Sequence, residues 1–139
     1  MNKTLKTIKR MNSAKSSLIR RFWHIWLRTV YSCDVMPGLK IGDGCIFAHQ
    51  GLGVVINPDC EIGNNVKIGA NVVIGGRGGN PIVPIIEDNV EIGASAVIIG
   101  PVRIGHDSQI GAGSVVVKDI PPHSIAVGNP AKVIKTLNQ

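Results

Sequence analysis

One histidine, His49, stands in the stretch FAHQGLGVVI, residues 47–56, with Gly51 and Gly53 close behind it. An imidazole has an ordinary pKa of about 6.5 and can accept a proton at neutral pH. Neighbouring glycines let the backbone approach a ligand closely. Together they suit a general base acting on a nucleophile. A second stretch, GGRGGNPIVP at 75–84, places Arg77 among four glycines. Backbone N–H groups in such a loop, around Gly76, suit stabilisation of an oxyanion. Arg77 itself reads either as a ligand-facing cation or as a solvated loop charge. His106 and His123 read as exposed turn residues rather than bases. Cys33, Cys45 and Cys60 have no CxxC spacing and an odd count, so neither a disulfide framework nor a metal site is expected.

Both stretches interrupt a six-residue repeat. From Ile56 the chain divides into hexads led by Ile56, Ile62, Ile68 and Ile74. After the second stretch it resumes with Ile86, Ile92, Ile98, Ile104, Ile110 and Val116. Glycine often follows the lead residue, as at Gly63, Gly69, Gly93, Gly105 and Gly111. The fifth position is small or aliphatic, and Cys45 and Cys60 occupy it, which favours packing over reactivity. An earlier hexad, IGDGCI from Ile41, lies fifteen residues before Ile56 and is out of phase. Six is neither a helical period nor that of a flat strand. It predicts an all-β solenoid in which three hexads close one coil, with coils stacked about 4.7–4.9 Å apart. The lead aliphatic points inward and contributes roughly 1.5–3 kcal/mol of burial. Glycine beside it is expected to ease the bend, and Asn-rich turns such as 64–65 suit left-handed backbone. A uniform column has no pocket, so chemistry is expected where the period fails.

The 139 residues suffice for one modest core. Residues 1–33 carry eight Lys/Arg and no acid, whereas residues 34–139 carry seven Lys/Arg against nine Asp/Glu. Basicity thus belongs to an N-terminal arm, residues 1–36, and the solenoid with its C-terminal cap to 37–139. Within the arm, SSLIRRFWHIWLRTVY at 16–31 predicts a helix with Leu18, Phe22, Trp26 and Val30 on one stripe, broadened by Ile19, Trp23 and Leu27. Ser16 or Ser17 is expected to cap it. This helix is read as covering the column's open end or a neighbouring subunit, or as lying on a membrane surface with its Lys/Arg face outward. No apolar run reaches the roughly 18 residues of a membrane span, and no signal peptide is recognised. The body has no basic stripe for nucleic acid. A cytoplasmic location is expected, with 16–31 able to meet the inner face of the membrane.

The Ile-Gly hexads over about residues 37–135 resemble the hexapeptide-repeat acyltransferases, whose fold is a left-handed parallel β-helix. HQGLGVVI resembles the segment of serine acetyltransferases and their short relatives in which the histidine is the catalytic base. That resemblance implies acetyl transfer from acetyl-CoA to a hydroxyl, with His49 as base and no metal. It implies a cofactor contact at Gly76 in the glycine loop, beside the candidate Arg77, and contacts at Ala94 and Ala112 in the IGAS and IGAGS turns. The Gly128-x-Pro130-Ala131-Lys132 signature is implied to help bind coenzyme A, and Lys132 within it reads either as a point charge for a cofactor phosphate or as a surface lysine. The family also implies a homotrimer, with His49 of one subunit facing loop 75–84 of the next.

Three departures bear on the acceptor. Long serine acetyltransferases carry Asp before the base, where this chain has Ala48. They carry a second histidine before the hexad at Ile86, where this chain reads PIVPII. They also have a large helical N-terminal domain. These differences favour a sugar or polysaccharide hydroxyl as acceptor. Serine O-acetylation and a catalytically degenerate binding or scaffold solenoid are the alternatives.

Overall fold

The computed structural model describes residues 2–137. Two helices precede a three-walled parallel β-solenoid: α1, Lys3–Ser13, and α2, Ser17–Val30. Wall one stacks Asp34–Val35, Val55–Ile56, Val73–Gly75, Val97–Ile99 and Val115–Val116. Wall two stacks Lys40–Ile41, Glu61–Ile62, Ile85–Ile86 and Arg103–Ile104. Wall three stacks Ile46–Phe47, Lys67–Ile68, Glu91–Ile92, Gln109–Ile110 and Ser124–Gly128. An antiparallel strand, Ala131–Thr136, folds back on the last of these and finishes the column.

Every expected lead residue from Ile56 to Val116 is buried along the axis. Cys33, Cys45 and Cys60 are buried with them, and burial pushes the Cys33 thiol up to about 12 and the Cys60 thiol up to about 11. Pairing explains the hexad that seemed out of phase. Ile41 stands beside Ile62, a coil of twenty-one residues, and Ile62 beside Ile86, a coil of twenty-four. Ile86 stands beside Ile104, the uninterrupted eighteen. The extra three residues sit in the break at 47–53 and the extra six in the break at 75–84, so neither disturbs the stacking.

The glycines after the lead residues have a different cause from the expected one. Gly63, Gly69, Gly93, Gly105 and Gly111 are not in the left-handed region. What they provide is closeness: a Cβ on Gly69 would lie 2.5 Å from the Ala94 nitrogen, and one on Gly93 2.5 Å from that of Ala112. The left-handed backbone falls two residues after these glycines, at Asn65, Asn71, Ser95, Asp107 and Gly113, and at the matching turn positions Asn89 and His123. Asn and Asp tolerate it best among residues with a side chain.

The arm also divides its work differently. α1 covers the first coil, burying Leu5, Ile8 and Met11 in the core, while α2 packs beside wall one's first strand, with Leu27 in the same core and His24 Nε2 2.9 Å from Asp34 Oδ1. Its Asn12 side chain donates to the Leu39 carbonyl at 2.9 Å and accepts from the Gly38 N–H at 2.9 Å. Asn2 caps α1, its side chain accepting from the Thr4 and Leu5 N–H groups. α2 buries Leu27 only. Leu18, Ile19, Phe22, Ile25, Trp26 and Val30 remain exposed. Ser16 occupies its N-cap without a side-chain hydrogen bond. Neither helix among the described residues is long and apolar enough to cross a membrane.

Candidate active site

The break at 47–53 begins where wall three's first strand ends at Phe47. Residues Ala48–Gly51 form a tight 3-10 turn in which His49 (φ 49°) and Gln50 (φ 58°) are both left-handed. Two consecutive non-glycine residues in that region store strain, which the surroundings must hold in place. The surroundings here are α1. The Asn2 amide donates to the Phe47 carbonyl at 2.9 Å, and the Thr4 hydroxyl donates to the Gln50 carbonyl at 2.7 Å. Thr4 is wholly buried. Behind the turn, the Gly53 N–H donates to the Ser32 carbonyl at 2.9 Å. Gly51 is buried and left-handed (φ 81°), and a Cβ there would lie 3.0 Å from Cys33 Sγ. The turn is therefore gripped on both flanks while the His49 side chain stays exposed.

His49 opens onto a cleft of about 540 Å³ along the outer face of wall three. Ile46, Ala70, Ala94 and Ile125 supply apolar lining. Lys67 and Glu91, paired as ions, cross its floor. Five strands at about 4.8 Å spacing make the cleft roughly 19 Å long, enough for an extended chain laid across the coils. Among the described residues, no side chain hydrogen-bonds the His49 imidazole.

The other expected site residues divide into two groups. Ala94 lines the cleft with His49. Ala112 belongs to the same corner one coil higher, where the Gly113 N–H donates to the Ala94 carbonyl at 2.9 Å; Gly111, rather than Ala112, reaches the cleft. Lys132 is exposed on the final hairpin, paired in register with Val127. Gly76 and Arg77 lie elsewhere: they are exposed in the loop between walls one and two, with Arg77 beside Gly100. His49 lies between walls three and one. Wall one thus separates the two breaks within a single chain.

Sequence reasoning missed the clamp. Asn2 and Thr4 carry no motif, although Leu5, Ile8 and Met11 at intervals of three would have marked α1 as a buried-face helix. It also missed a cluster at the third corner. His106, Asp107 and His123, read as exposed turn residues with no metal-ligand cluster expected, bring their ligand atoms within 4.8 Å of one another.

A family model described as bacterial transferase hexapeptide (six repeats) matches residues 53–76 and 84–118. The serine acetyltransferase of Buchnera aphidicola is 43% identical over 114 residues, covering 80% of this chain and 43% of that protein. That of Mycobacterium tuberculosis is 43% identical over 109 residues, covering 77% and 47%. The chain belongs to the hexapeptide-repeat transferase family. Its solenoid is the family's left-handed β-helix. Soybean serine acetyltransferase superposes with a TM-score of 0.85 at 37% identity, covering 94% of this chain and 56% of that one. The Brucella abortus serine acetyltransferase in complex with coenzyme A superposes with a TM-score of 0.87 at 28% identity, covering 96% and 55%. This hexapeptide-repeat chain spans less than half the length of the curated relatives it matches, and a little over half of the solved ones.

Proposed function

We propose that this chain is an acetyl-CoA-dependent O-acetyltransferase with His49 as its general base. The observation that carries this reading is a strained, clamped turn presenting an exposed imidazole at an apolar cleft long enough for an extended acyl carrier. Acetyl-CoA lies along wall three past Ala94 and the turn at Ala112, with Lys132 as a point charge for a phosphate. His49 takes the proton as the acceptor oxygen attacks the thioester carbonyl. Backbone N–H groups around Gly76 stabilise the oxyanion, the C–S bond breaks, and the proton passes from the imidazolium to the departing thiolate. Because wall one separates His49 from Gly76 and Arg77, this arrangement takes two subunits, and a homotrimer supplies it. Sedimentation of a monomer at working concentration would contradict the shared site.

The relatives favour serine as the acceptor hydroxyl. A sugar or polysaccharide hydroxyl is the second reading, favoured by Ala48 and by the absence of a histidine in PIVPII. Release of coenzyme A across serine, free sugars, nucleotide sugars and glycans decides between them. Turnover with serine alone supports the first, and turnover with a sugar alone the second. No release with any acceptor, together with no rise in melting temperature at millimolar acetyl-CoA, would leave a non-enzymatic solenoid, because a ligand of the native state raises apparent stability.

A further inference from the structure

The corner between walls two and three carries a ladder of turn side chains. Asn65, Asn89, Asp107 and His123 occupy equivalent left-handed positions in successive coils. The Asn65 amide donates to Asn89 Oδ1 at 3.3 Å, and the Asn89 amide donates to Asp107 Oδ1 at 3.0 Å. At the next step the ladder changes chemistry. The other carboxylate oxygen, Asp107 Oδ2, faces two imidazoles: His106 Nδ1 at 2.7 Å and His123 Nδ1 at 4.0 Å. The two rings stand edge to face with centroids 4.8 Å apart. The corner backbone is fixed, since the His123 N–H donates to the His106 carbonyl at 2.9 Å and the Asp107 N–H to the Asp88 carbonyl at 3.0 Å.

Neutral imidazole and carboxylate are ligands for borderline divalent metals, and zinc suits two nitrogens and one oxygen. Ligands at about 2.0–2.1 Å from a tetrahedral zinc sit about 3.3 Å apart, between the two Asp107 separations in the structure. Rotation of the exposed His106 and the half-buried Asp107 and His123 side chains closes the difference. Asn89 holds the second carboxylate oxygen, the outer contact that orients a metal-binding acid. The neighbouring acids are already engaged, Glu87 by Arg103 and the His106 N–H and Asp88 by the Asn64 N–H.

We propose that His106, Asp107 and His123 form a divalent transition-metal site, filled best by zinc, with water in the fourth position. The ion joins the coil bearing His106 and Asp107 to the final coil bearing His123, and so pins the C-terminal hairpin to the column. The site lies away from His49 and does not depend on the acetyl-transfer reading.

The test is a zinc titration of untagged protein stripped with chelator, followed by calorimetry and by melting temperature. One equivalent of zinc is expected to bind and to raise the melting temperature, while magnesium does neither. His123→Ala and Asp107→Asn are each expected to weaken zinc binding at least about tenfold. Asp107→Asn continues the amide ladder, so its fold is retained. His49→Ala is expected to bind zinc as the wild type does. No uptake by the wild type at a hundredfold excess of zinc would overturn the site. So would wild-type affinity in both His123→Ala and Asp107→Asn.

Discussion

The two interruptions of the hexad repeat look alike in sequence, since both replace aliphatic leads with glycine-rich loops. In the structure they differ in kind. The break at 47–53 adds three residues and is gripped: Asn2 and Thr4 of α1 hold its backbone carbonyls, and Gly51 is packed against Cys33 and Phe47. The break at 75–84 adds six and is exposed at most positions, with open space around Gly75, Gly78 and Gly79. Its side-chain tie is local, Asn80 accepting from the Ile82 N–H at 2.9 Å. What makes a break a site for a base is thus a second element packed on it, which carries the strain of two left-handed residues.

Substitutions at matched places sharpen that contrast. Gly51→Ala is expected to have the largest effect on stability, about 2–3 kcal/mol, from left-handed strain and a crowded Cβ. The drop appears in the denaturant midpoint. Thiol labelling reports the same event locally. At neutral pH the buried Cys33 thiol, pushed up to about 12, is protonated and inert in the wild type. In Gly51→Ala it is expected to react. A wild-type midpoint in this variant would break the contrast.

Thr4→Val comes next. It removes the donor to the Gln50 carbonyl at nearly constant shape, and about tenfold is expected from kcat with a smaller change in KM for acetyl-CoA, because the turn is loosened rather than the cleft. Thr4→Ser is expected to restore most of it, and failure of that rescue would assign Thr4 to packing alone. Arg77→Ala is expected to raise KM for acetyl-CoA by no more than about threefold, the scale of a solvated charge. Gly78→Ala is expected to shift stability by less than about 0.5 kcal/mol, as for a surface change with nothing nearby. A large loss in Gly78→Ala would mean that the second break is as constrained as the first.

Much of this architecture was legible in the residues. The lead aliphatics fixed which side chains fill the axis, and Asn64–Asn65 marked a corner whose second residue is left-handed. His49 stood out because the period failed around it. Other features were hidden because they depend on contacts between coils. Gly69 and Gly93 are demanded by the backbone one coil above, which no single hexad displays. Thr4 and Gln50 meet across forty-six residues of sequence. The stripe on α2 was legible, but α1, whose buried Leu5, Ile8 and Met11 are spaced by three among polar residues, was not. His106 and His123 came together because seventeen residues, with His106 one place earlier in its turn, return the chain to the same corner.

The most direct test of His49 as base is steady-state release of coenzyme A by His49→Ala, measured beside the wild type at saturating acetyl-CoA with the acceptor found in the screen. General base catalysis is typically worth about 10²–10⁴-fold. A fall in turnover of at least about 10²-fold, with an unchanged melting temperature, is expected. Turnover near that of the wild type would contradict the assignment.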